Sequence, residues 1–192
     1  MQVFDKKIIL ASKSPRRSQL LSEAGFNFTV RTKDIDESYP ADLSPAEVAE
    51  YIAEAKAAGC ADFLEDEPGA ILLTSDTIVV LGEKIYGKPR DYDHAVSILR
   101  ELADRTHRVI TGVCLWSRDK KVTFHGVSEV TFAPLSDEEI DYYLRTCRPY
   151  DKAGAYGIQE WLGHCKITAI KGTYENIMGL PTDLVYRYLC EF

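Results

Sequence analysis

Two rhythms of apolar and polar residues run through this chain, the alternation of strands and the three-to-four spacing of helices. Ile8-Ile9-Leu10 is a short apolar run of the kind buried in a sheet, and Ser18 to Ala24 follows with Leu20 and Leu21 opening a helical face that Gly25 closes. Phe26 to Thr32 alternates like a strand, with Phe26, Phe28 and Val30 on one side. Ser44-Pro45 with Glu47 has the form of a capping box and predicts a helix to about Ala58, ended by Gly59. Ala61 to Gly69 is polar and reads as a surface connection. Ala70 to Leu81 is the most apolar stretch and predicts one or two central strands, followed by a hairpin-like turn at Gly82-Glu83. Asp93 to Leu102 carries a helical apolar face, and Thr106 to Trp116 reads as a buried strand. Lys121 to Phe132 is a further strand, or two broken near Gly126, paired with the preceding one through Arg118-Asp-Lys. Ser136 and Glu139 form a second capping box, for a helix to about Thr146 that stops before Pro149. Ile167 to Ile170 is a short strand, Gly172 to Asn176 a turn into a helix, and Thr182 to Leu189 a last helix. Strands and helices that alternate over the whole length predict an α/β protein.

Composition narrows the possibilities. The 192 residues predict a single domain over positions 1–192, and 45% hydrophobic against 28% charged residues is the balance of a chain with a true core. A net charge of -7 argues against bulk attraction to nucleic acid. No apolar run approaches the length of a membrane span, and the first residues lack the apolar core of a signal peptide. Five scattered cysteines with no C-x-x-C pair suggest reduced thiols in a cytoplasmic protein.

Against that acidic background the local basic clusters matter more. Ala11-Ser-Lys-Ser-Pro-Arg-Arg17 joins the first strand to the first helix. Pro15 suits a first helical turn and Ser14 an N-cap, with its hydroxyl available to a backbone N–H. Free N–H groups and two guanidinium groups can hold a phosphate there, or the turn is a capped helix with solvated arginines. Asp34, Asp36 and Glu37 form an acidic loop, either solvated or binding a hard cation. Lys56 stands near a helix end, where it suits the helix dipole or reaches a phosphate. Asp76 interrupts the most apolar strand, and such a carboxylate is costly unless it is paired or bound to metal, so it is a candidate metal ligand or general base. Thr77 lines the same place or is an ordinary strand residue. Lys88 sits on a loop stiffened by Pro89, and His107 at a strand edge has the character of a structural histidine. Asp151-Lys-Ala-Gly-Ala-Tyr-Gly-Ile-Gln159 combines close-approach glycines with Lys152, the ring of Tyr156 and the amide of Gln159, groups able to read a polar base edge. It is otherwise a glycine-rich turn packed by tyrosine.

Six blocks in this order resemble one family: Ser12-x-Ser-Pro-Arg-Arg17, Ser75-Asp-Thr-Ile-Val79, Gly87-Lys-Pro89, Thr106-His with Thr111-Gly-Val113, the Asp151 to Gln159 stretch, and Gly179-Leu-Pro181. They are similar to the Maf family of nucleoside triphosphate pyrophosphatases, and the likeness runs from about Ile8 to Leu189. The stretch before Gln159 resembles the branch acting on dTTP and UTP. The resemblance implies a mixed twisted sheet with flanking helices, two lobes around a central cleft, as in the inosine triphosphate pyrophosphatases. It also implies hydrolysis between the α- and β-phosphates with a divalent cation, Mg²⁺ or Mn²⁺. By motif position Asp76 is similar to the family's proton acceptor, and Arg16, Thr77 and Gln159 to its specificity positions. Ser12, Arg17, Glu37, Lys56 and Lys88 fall at cleft-lining positions, and Glu37 and Asp76 are the implied metal ligands. A nucleoside triphosphate is the implied partner, with a homodimer compatible and neither nucleic acid nor membrane involved.

Glu160-Trp161 departs from the glycine commoner after Gln159, and Trp161 there would reshape a base pocket. Three alternatives stand beside this reading. They are a pyrophosphatase for purine or modified nucleotides, a non-catalytic nucleotide-binding regulator of septum formation, and a phosphomonoesterase.

Overall fold

The computed structural model describes residues 2–192. Its strands are β1 (Ile8–Leu10), β2 (Phe28–Val30), β3 (Ile71–Leu81), β4 (Lys84–Tyr86), β5 (Thr106–Trp116), β6 (Lys121–Phe132) and β7 (Ile167–Lys171). They make a seven-stranded sheet in the order β2-β1-β3-β5-β6-β7, with β4 on β3. The sheet is mixed: β1 runs parallel to both β2 and β3, whereas β4 is antiparallel to β3 and β7 to β6. The helices are α1 (Pro15–Glu23), α2 (Pro45–Gly59), α3 (Phe63–Asp66), α4 (Tyr92–Leu102), α5 (Asp137–Cys147), α6 (Trp161–Lys166), α7 (Tyr174–Met178) and α8 (Thr182–Leu189).

The expected elements recur with local differences. The strand expected from Phe26 is only three residues long, because Phe26 is drawn to the Leu21 carbonyl at the end of α1, and Val30 is exposed rather than packed. Ala70 to Leu81 is one strand, and β6 runs unbroken through Gly126. The connection after α2 contains a helical turn, α3, because Phe63 is buried in the core. Gly59 is the last residue of α2 and Cys60 the cap.

The chain divides into two compact units. The first comprises residues 1–76, 111–126 and 179–192. In its core Ile9 and Leu72 of the sheet meet Ala53 and Ala57 of α2, with Phe63, Ala70 and Cys114. The close fit of α2 on β5 depends on Gly112, where a Cβ would lie 2.2 Å from the carbonyl oxygen of Ala49.

The second unit comprises residues 77–110 and 127–178. At its centre His107 and Tyr156 share a hydrogen bond of 2.8 Å, and both rings pack edge-on to Phe132. His107 is buried, as its structural reading expected, and burial lowers its pKa from 6.5 to about 4. The unfolded chain therefore takes up a proton, as pH falls from 6.5 towards 4, that the folded chain refuses. Stability from this group is complete above pH 6.5 and is lost on acidification through that window, by about 3 kcal/mol in total. Urea midpoints measured between pH 4 and 7 should show this slope, and a His107→Gln variant should flatten it.

Candidate active site

The basic turn has a firmer internal structure than its sequence suggests. Ser14 occupies the N-cap of α1 but its side chain makes no capping bond. Ser12 does the organising instead: its Oγ accepts from the Ser14 N–H at 3.2 Å and from Arg17 Nη1 at 3.3 Å. Arg17 Nε donates to the Gly179 carbonyl at 2.9 Å, and Ser75 Oγ donates to the same oxygen at 3.1 Å. Gly179 has φ 124, a backbone region open in practice only to glycine, which accounts for its place in the Gly-Leu-Pro block. Burial lowers the Arg17 pKa, and the Asp76 carboxylate nearby opposes that effect. Arg16 and Glu37 are close enough to act on the same guanidinium.

Asp76 lies inside β3 as expected, and its partner is Lys56. Lys56 Nζ is 2.7 Å from Asp76 Oδ1 and 2.7 Å from Glu37 Oε1. The Lys56 and Asp76 side chains are only 16% and 13% exposed. This pairing answers the cost of placing a carboxylate in a buried strand. Lys56 thus does more than complement a helix end. The acidic loop reaches it because Ile35 packs on α2 at Gly59, where a Cβ would meet Ile35 Cδ1 at 2.2 Å. Lys13 and Asp34 add an exposed ion pair between the basic turn and this loop. Asp36 turns away from the cluster, bonding the Ser38 hydroxyl at 2.8 Å.

The first unit therefore brings together Ser12, Arg16, Arg17, Glu37, Lys56 and Asp76. The arrangement can neutralise a polyanion and hold a carboxylate where it can take a proton. Glu37 and Asp76 converge on one ammonium, a donor set that suits a divalent cation taking one or two carboxylates and completing its shell with phosphates and water. Among the described residues no cluster of three or more metal-ligating side chains forms, so the set does not resemble a closed cage.

The remaining candidates belong to the second unit, where Thr77 continues β3. Lys88 is exposed on the loop after β4, and the Gly154 N–H donates to the Gly87 carbonyl at 3.1 Å, which ties that loop to the Asp151 to Gln159 stretch. Gln159 has a buried Oε1 with no hydrogen-bond partner. Tyr156 is not a platform for a base, because its ring is enclosed by His107 and Phe132. Lys152 is buried and paired with Asp151 and Glu160. Trp161 packs edge-on to Tyr142 of α5, with ring centroids 5.3 Å apart. Sequence reasoning missed α6, whose six residues are too few to show a period, and with it the hydrogen bond that the Tyr143 hydroxyl donates to Glu160. The signal available was the acidic residue directly after Gln159.

A mixed α/β sheet with a carboxylate, a lysine and two arginines gathered beside a strand-to-helix turn defines a protein built to handle an anionic substrate. The backbone resembles the solved structure of the Staphylococcus aureus Ham1 protein, with a TM-score of 0.58 at 15% identity, covering 97% of this chain and 99% of that one. The chain belongs to the Maf-like protein family, whose pattern matches residues 7–192. It is 47% identical over 184 residues to the dTTP/UTP pyrophosphatase of Flavobacterium psychrophilum, covering 95% of this chain and 93% of the relative. It is 49% identical over 184 residues to the dTTP/UTP pyrophosphatase of Bacteroides thetaiotaomicron, covering 95% and 94%. No helix among the described residues is long and apolar enough to cross a membrane.

Proposed function

We propose that this protein hydrolyses dTTP and UTP between the α- and β-phosphates, releasing the nucleoside monophosphate and pyrophosphate. The observation that carries this reading is the meeting of Asp76 and Glu37 on Lys56, beside Arg17 and its turn. The names of the relatives support the same reaction and substrates. In this reading the chain acts as one Maf-like domain over residues 1–192, in the cytoplasm, on free nucleotides.

The triphosphate carries about four negative charges, which repel an attacking water unless they are neutralised. Arg16, Arg17 and Lys56 supply fixed positive charge in the first unit, Ser12 holds Arg17 in place, and Lys88 is assigned to the phosphates by its motif position alone. Glu37 and Asp76 are the residues that would hold a divalent cation, which supplies further charge to the phosphate oxygens when bound. The second oxygen of Asp76 takes the proton from the attacking water. Thr77 and Gln159 act on substrate choice. An amide both donates and accepts, so Gln159 matches the O4 and N3–H edge common to uracil and thymine. Its unpartnered buried Oε1 supports that role. Thymine differs from uracil by one methyl, worth about 1–3 kcal/mol, so both should be substrates.

Product analysis with dTTP, UTP, CTP and GTP, in Mg²⁺ or Mn²⁺, tests the reading. Pyrophosphate and monophosphate should form fastest from dTTP and UTP. Orthophosphate release would replace the reaction with that of a phosphatase, and a preference for GTP would keep the reaction but remove the role given to Gln159.

A further inference from the structure

We propose that Ser75 is a positioning residue: through the Gly179 carbonyl it fixes the plane of the Arg17 guanidinium for the triphosphate. The proposal rests on the role given to Arg17 above and adds the group that aims it.

Three consecutive polar residues of β3 are each tied to a neighbour. Thr74 Oγ1 donates to the Ala53 carbonyl of α2 at 2.6 Å, and Asp76 accepts from Lys56 of the same helix at 2.7 Å. Ser75 lies between them, and side chains along a strand alternate in direction, so it leaves by the opposite face. There its Oγ donates to the Gly179 carbonyl at 3.1 Å. Ser75 is 1% exposed. A hydroxyl so placed costs free energy unless it is bonded, and this bond meets that cost.

The guanidinium is one step further on. The same carbonyl oxygen accepts from Arg17 Nε at 2.9 Å, so each of its two lone pairs has a donor. Gly179 is buried at φ 124, and with no Cβ to limit it the glycine does not by itself set the direction of its carbonyl. Ser75 sets that direction from a central strand. Arg17 Nη1 donates to Ser12 Oγ at 3.3 Å. One contact sets the position of a planar group; two, on different nitrogens, set its plane.

The chemistry needs the plane. A guanidinium meets phosphate oxygens through pairs of parallel N–H groups, and a tilted fork makes one bond in place of two. Ser75 and Asp76 are also adjacent in β3, so the group that aims the arginine and the carboxylate that takes the proton share one piece of rigid backbone.

The test measures dTTP turnover and thermal melting for wild type, Ser75→Ala, Arg17→Met and the double variant, with hydrogen exchange at the Arg17 Nε–H followed by NMR. Ser75→Ala should lower kcat/KM by about tenfold, and its Arg17 Nε–H should exchange faster. In the Arg17→Met background no fork remains to be aimed, and the same change should cost less than about twofold. A merely structural serine would cost the same factor in both backgrounds, and that result would overturn the proposal. So would a Ser75→Ala variant within about twofold of wild type. Ser75→Cys, close in volume and a weaker donor, should show the same pattern with a smaller loss, and it carries the comparison if alanine does not fold. If Arg17→Met alone keeps the wild-type rate, the role of Arg17 falls and the proposal with it. If wild type releases no pyrophosphate, the activity itself falls, and Nε–H exchange in Ser75→Ala then decides the positioning separately: faster exchange supports it and unchanged exchange overturns it.

Discussion

Asp76→Asn should lower kcat for pyrophosphate release by about 10²–10⁴-fold, the range expected when a positioned base is removed. Asparagine keeps the shape of the side chain and can still accept from Lys56 at the 2.7 Å site. What it loses is the charge and the basic oxygen. The fold should survive, because Lys56 retains Glu37 at 2.7 Å and its ammonium is not left alone in a buried setting. Nucleotide binding measured by titration should therefore persist while turnover fails. A variant with more than a tenth of the wild-type rate, in the same cation, would mean that Asp76 is a structural counter-charge to Lys56 and that the proton goes elsewhere.

Gly112→Ala should be the most damaging conservative change in the core of the first unit. The new methyl would stand 2.2 Å from the Ala49 oxygen, 2.3 Å from its carbonyl carbon and 2.7 Å from the Glu50 nitrogen. All three are backbone atoms of a helix, so no side-chain rotation relieves the overlap, and α2 must move. Overpacking of this kind costs about 3 kcal/mol. For a protein of this size that is a fall in Tm of about 10 °C. Lys56 lies two turns beyond Ala49 on the same helix, so a shift of α2 also carries the ammonium away from Asp76. Thermal melting and turnover measured on the same sample should both decline. A melting point within 2 °C of wild type, on the scale of less than about 1 kcal/mol, would show that α2 yields without cost.

Much of this was legible because local chemistry agreed with the fold. The Ser44 and Ser136 capping boxes are both formed, and β5 begins and ends at the residues its apolar pattern marked. Asp76 stood out because a carboxylate in an apolar strand demands a partner. The identity of that partner was not legible, since Lys56 is twenty residues away and only the packing of α2 brings it near. Gly112 was visible as part of a motif, but its reason, a helix backbone at 2.2 Å, is tertiary. Ser14 misled because cap position and cap bond are separate matters. Arg17 claims the neighbouring Ser12 hydroxyl, and that hydroxyl reaches the Ser14 N–H. Tyr156 misled because a ring beside two glycines suits a core as well as a ligand site.

The bond from Arg17 to the Gly179 carbonyl spans 162 residues. At ribosomal speeds of about 5–20 residues per second, the acceptor is synthesised roughly 10–30 s after the guanidinium that needs it. Ser75 waits on the same oxygen. The anion-handling turn therefore cannot be finished before residue 179 has been made, and residues 179–192 close a unit whose first residues were made long before. Long-range closure of this kind slows folding. It also makes the site depend on a residue far from its charges: a translation product stopped before Gly179 would carry every charged residue gathered in the first unit and lack the carbonyl that aims one of them.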